Sequence, residues 1–83
     1  MDITIERVTP MAKGALKAFV DVKIGDIVIK DFRVVQQEGS EAWVSVPQKE
    51  YNYNGEKRYA KMITLSDELK MQVDKVILDT INQ

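Results

Sequence analysis

Hydrophobic and polar residues alternate through most of the first two thirds of the chain, the period of a half-buried β-strand. From Asp2 to Val8, Ile3 and Ile5 fall on one side, Thr4 and Glu6 on the other. Thr9-Pro10 through Gly14 reads as a turn-rich connection, because proline cannot donate to a ladder. Leu16 to Ile24 alternates cleanly. Leu16, Ala18, Val20, Val22 and Ile24 share one face, and Lys17, Asp21 and Lys23 share the other. Phe19 sits among those charges, out of keeping with a wet face. Gly25-Asp26 is a compact hairpin signal. Ile27 to Gln36 forms the third strand. Its alternation changes phase at Lys30-Asp31, which predicts a β-bulge that restores the facing with one extra residue. Gln37 to Glu41 is a turn, and Ala42 to Val46 a short fourth strand ended by Pro47.

Gln48 to Gly55 is the most polar stretch and closes on the turn dipeptide Asn54-Gly55. Glu56 to Thr64 reads as a fifth strand. Ser66 opens the only strong helix. Its hydroxyl suits free N–H groups, and Asp67 and Glu68 complement the first-turn dipole. Leu69, Val73, Val76, Ile77 and Ile81 then form one apolar stripe. The expected fold is α+β: a small antiparallel β-sheet of about five strands with one C-terminal amphipathic helix. Residues 1–83 make a single domain with no repeat or linker.

Composition narrows the chemistry. The chain of 83 residues has 30% charged and 45% hydrophobic positions, the balance of a folded domain. A chain this short buries only about 60–65% of its unfolded surface, so a second subunit is the natural supplement. Cysteine and histidine are both absent. That removes disulfides, thiolate and imidazole metal sites, and every nucleophile–histidine arrangement. No side chain has an ordinary pKa near 7, so an enzyme is not expected. No cofactor, metal or small-molecule substrate is expected either. Twelve basic residues face thirteen acidic ones, a net charge of −1, and the whole-chain charge gives no sign of nucleic-acid or membrane binding. No apolar run approaches the ~20 residues that span a bilayer. Met1-Asp2-Ile3-Thr4 has neither a basic nor an apolar run, and a cytosolic protein is expected.

Chemistry concentrates between residues 49 and 61. Lys49, Lys57, Arg58 and Lys61 stand against Glu50 and Glu56, with Tyr51, Tyr53 and Tyr59 interleaved. Cations neutralise phosphates, and tyrosine faces stack on unpaired bases. A solvated hairpin with tyrosines along a sheet edge accounts for the same residues. Lys17, Lys23, Lys30 and Arg33 form a second, weaker basic set, diluted by Asp21, Asp26 and Asp31, and read best as a wet face. Trp43 and Phe19 read as core, with a role as interface anchors the alternative.

Three segments in order carry a resemblance. Leu16-Lys17-Ala18-Phe19, Val28-Ile29-Lys30-Asp31-Phe32-Arg33-Val34-Val35 and Trp43-Val44-Ser45-Val46-Pro47 resemble the stage V sporulation protein G (SpoVG) family. There a K-A-type strand, an I-R-V-I strand and an F-V-A-M-P-S-K strand lead to a Pro/Gly loop. An A-H-P-I segment and a K-I-Q-D-A-V-L helix follow. Ala60-Lys61-Met62-Ile63 and Met71 to Leu78 stand at those last two places, so the similarity spans roughly residues 3 to 80. The resemblance implies a homodimer formed through strand contacts. It also implies a bacterial cytosolic regulator of sporulation and septation that binds DNA and RNA. Departures fall at the functional end. Gln48-Lys49-Glu50 replaces Ser-Lys-Arg, the loop before Gly55 is one residue longer, and Lys61-Met62 replaces His-Pro. The helix carries Asp67, Glu68, Asp74 and Asp79 against Lys70 and Lys75, four acids to two bases, net −2. Arg33 matches the arginine of the I-R-V strand and serves the fold, a dimer contact or a phosphate. The expected nucleic-acid-binding residues are Lys49, Tyr51, Tyr53, Lys57, Arg58, Lys61 and Arg33. The alternative is a protein-interaction or scaffolding dimer without nucleic-acid affinity.

Overall fold

Burial on one face only is what the alternating segments predict, and four of them pair into one sheet that way. A computed structural model of the chain describes residues 2–82. β1 (Ile3–Lys13), β2 (Leu16–Ile24), β3 (Ile27–Val35) and β4 (Trp43–Ser45) form an antiparallel meander in the order β1-β2-β3-β4. β5 (Gln48–Tyr53) and β6 (Glu56–Lys61) form a separate two-stranded ribbon, and α1 (Asp67–Ile81) ends the fold. The class is α+β, with six strands in two sheets where about five in one were expected.

One face of the four-stranded sheet carries the core. Val20, Val22, Phe32 and Val34 are all but completely buried, together with Val73 and Ile77 of α1. Each such side chain contributes about 1.5–3 kcal/mol by leaving water. α1 packs against both edge strands, β1 and β4, and so crosses the sheet. Ser66 caps it, its hydroxyl accepting the Leu69 N–H at 3.2 Å. Lys70 pins it: the ammonium donates to the Val44 carbonyl at 2.8 Å and to both Asp74 oxygens at 2.6 and 2.8 Å. The helix therefore covers this face of the four-stranded sheet and leaves the polar face opposite uncovered by it.

Four segments differ from expectation. β1 continues through Pro10 to Lys13, where a turn from Thr9 was expected. Proline is tolerated there because β1 is an edge strand whose outward N–H has no ladder partner. Register shifts between Ile5 and Arg7 and between Pro10 and Lys13 absorb the irregularity. β4 and β6 are shorter than expected, stopping at Ser45 and Lys61. The polar stretch from Gln48 is itself a strand, and it carries no apolar face because it buries none. The expected bulge is present. Val20 pairs Phe32 while Val22 pairs Ile29, one extra residue on β3. Asp31 takes the left-handed conformation there, φ 70°, and its N–H donates to the Asp21 carboxylate at 3.1 Å.

Candidate nucleic-acid interface

The ribbon is made by its turn and its pairing rather than by packing. Asn54 at φ 50° and Gly55 at φ 80° make a two-residue turn with both centres left-handed, the geometry that matches strand twist. From this turn the register runs Tyr53 opposite Glu56, Tyr51 opposite Arg58, Lys49 opposite Ala60 and Gln48 opposite Lys61. Every residue from Lys49 to Lys61 is exposed.

Strand alternation divides the expected binding residues between two ribbon faces. Lys49, Tyr51, Tyr53 and Arg58 share the outer face with Glu56 and Ala60. The inner face holds Gln48, Glu50, Asn52, Lys57, Tyr59 and Lys61. Its orientation follows from two contacts with the four-stranded sheet. The Gln48 amide donates to the Ser45 hydroxyl at 2.7 Å, and the Arg33 guanidinium lies over the Tyr59 ring, 5.7 Å from its centroid. A third attachment is through the backbone, Met62 N–H to the Pro47 carbonyl at 2.8 Å. Arg33 therefore does not join Tyr51 and Tyr53. It lies on the sheet face opposite the helix and meets the ribbon from inside.

Charge on the ribbon is partly cancelled at home. Lys57 pairs with Glu50 at 3.5 Å, and Arg58 with Glu56 at the same distance. All four side chains are well exposed, so these pairs contribute only about 0–1 kcal/mol and yield readily to a polyanion. Arg58 also lies over the Tyr53 ring at 5.1 Å, which stiffens both groups on the outer face. Among the described residues, Lys49, Lys61 and Arg33 make no ion pair.

The four-stranded sheet explains Phe19. Cross-strand pairing sets Thr9, Phe19, Arg33 and Ser45 in one row on its face opposite the helix. Arg33 lies 5.6 Å from the Phe19 ring centroid, so an aromatic ring on a charged face supports a cation. Trp43, expected as core, stays 54% exposed beside Val35 at the sheet edge. Lys17 turns back to the Gly14 carbonyl at 3.2 Å, and Lys23 and Lys30 are solvated. Tyr59 and Phe19 are the aromatic partners of Arg33 that the expected set did not include. The out-of-phase position of Phe19 was the available signal. Tyr59 gave none beyond its place among the basic residues.

The family model SpoVG matches residues 1–83, the whole chain. The chain belongs to the SpoVG family. No curated protein and no solved structure gives a significant match. Membership supports a regulator of the sporulation and septation kind. No helix among the described residues is long and apolar enough to cross a membrane.

Proposed function

We propose that this SpoVG-family chain is a cytosolic, dimeric regulator that acts by binding DNA or RNA rather than by catalysis. One observation carries the reading: a ribbon with no packed face presents Lys49, Tyr51, Tyr53 and Arg58 together on its outer side. Lysine and arginine supply counterion release, and the two tyrosines supply stacking surface. Dimerisation draws support from the ribbon's edges. A lone two-stranded hairpin is marginal in water, and each of its strands has one unpaired edge open to a second copy.

Fluorescence anisotropy with short single- and double-stranded DNA and RNA, across a salt series, tests the binding. Affinity that falls linearly with log salt is expected. Absence of binding at low salt contradicts the reading and favours a scaffolding dimer without nucleic-acid affinity. That second reading is favoured by the net charge of −1, the acidic helix and the two ion pairs within the ribbon. Sedimentation at micromolar concentration tests the dimer: a stable monomer near 9.5 kDa contradicts it.

A further inference from the structure

We infer that the junction between ribbon and sheet is a second, single-strand-selective subsite, in which Arg33 holds a phosphate and Tyr59 stacks one unpaired base. The inference rests on the nucleic-acid reading and adds to it a residue pair on the opposite side of the ribbon from Tyr51 and Tyr53.

Three observations meet at this point. Arg33 has its guanidinium carbon over two rings, Phe19 at 5.6 Å and Tyr59 at 5.7 Å. A guanidinium engaged through its π-face keeps its in-plane N–H donors, which match a phosphate bidentately. Among the described residues no carboxylate pairs with it, in contrast to the ribbon cations Lys57 and Arg58. Arg33 is also half-buried, so a phosphate there meets a less screened charge than on the ribbon tip.

Tyr59 adds the second half. It is 54% exposed although Arg33 lies over its ring, which leaves aromatic surface open. Neighbouring groups fix the place. Ser45 pairs directly with Arg33 across β3 and β4, Gln48 bonds Ser45, and Gln48 pairs with Lys61 across the ribbon. Lys61 lies two residues from Tyr59 on the same inner face, and among the described residues it too is without an ion pair. A phosphate on Arg33, a base on Tyr59 and a further phosphate toward Lys61 follow a strand one nucleotide at a time. Duplex bases are already stacked on each other and present only their edges, so the ring face of Tyr59 selects an unpaired strand.

Anisotropy titrations of labelled oligothymidylate and oligouridylate of about 12 nucleotides, beside a duplex of equal length, test this. Tyr59→Leu is expected to weaken single-strand binding about tenfold with an unchanged salt slope, because stacking releases few counterions. Tyr59→Phe retains the ring and is expected to bind as the parent does. Arg33→Met is expected to lower the single-strand salt slope by about 0.7. Arg33→Lys retains that slope and loses affinity, since an ammonium lacks the planar fork. Duplex binding is unchanged in both Tyr59 variants. Thermal melts confirm folding, and should Arg33→Met unfold, Arg33→Lys and the exposed Tyr59 still decide. Parent-like single-strand binding by Tyr59→Leu and Arg33→Lys overturns the subsite while the outer-face reading stands. Failure of the parent itself to bind any oligonucleotide overturns both.

Discussion

The four-stranded sheet with its helix and the β5–β6 ribbon are built on opposite terms. In the former, Phe32, Val22, Val73 and Ile77 are completely buried, and water exclusion fixes register, bulge and helix position together. In the latter, residues 49–61 are all exposed, and shape comes from a two-residue turn, cross-strand pairing and ring–cation contacts. The sheet commits one face to the core and keeps only the face of Phe19 and Arg33 for recognition. The ribbon buries no apolar face, and contacts to Arg33, the Ser45 hydroxyl and the Pro47 carbonyl hold it in place.

Substitutions can break that contrast from either side. Phe32→Ala empties the centre of the core and is expected to cost about 3–5 kcal/mol. For a domain of this size that is most of its stability, so thermal or urea unfolding should show a largely unfolded protein. A cooperative melt close to the parent's would mean that burial does not dominate the sheet. Gly55→Val attacks the ribbon alone. A Cβ at Gly55 meets no atom within 4 Å, so the penalty is the left-handed backbone, roughly 1–2 kcal/mol. Hydrogen exchange is expected to accelerate at ribbon amides while the β2 and β3 amides stay protected. Equal loss of protection in both regions would show that the two fold as one unit. Ser66→Ala removes the helix cap and is expected to cost about 1 kcal/mol, lowering the melting temperature without altering exchange in the ribbon. Ribbon amides that exchange faster in this variant would tie the helix to the ribbon.

The same contrast decides what was legible in the sequence. Burial on one side writes a period into the chain, so β2, the bulge at Lys30-Asp31 and the Ser66-capped helix could all be read directly. β5 could not, because a strand with two wet faces has no apolar period, and only Asn54-Gly55 announced the hairpin. The run of β1 past Val8 to Lys13 is not legible locally, because its edge position, which excuses Pro10, is a property of the sheet order. For the candidate site, composition located the basic-aromatic segment, but pairing register alone decides which residues share a face. Arg33 and Lys61 were named beside Tyr51 and Tyr53, yet alternation places Lys61 on the inner face and Arg33 against Tyr59. Phe19, expected in the core, is instead half-buried on the opposite face beneath the Arg33 guanidinium.

The central claim is that the ribbon and its junction with the sheet, rather than Lys17, Lys23 and Lys30 of the sheet, carry the nucleic-acid contacts. The most direct test compares salt slopes of binding for the parent, a Lys49→Ala/Arg58→Ala/Lys61→Ala variant and a Lys17→Ala/Lys23→Ala/Lys30→Ala variant. All six side chains are exposed, so folding is preserved in both variants. The ribbon variant is predicted to bind more weakly, its slope shallower by about 0.7–0.9 for each phosphate it no longer neutralises, with the sheet variant close to the parent. Parent-like affinity and slope in the ribbon variant, with the weakening appearing in the sheet variant instead, would contradict the account.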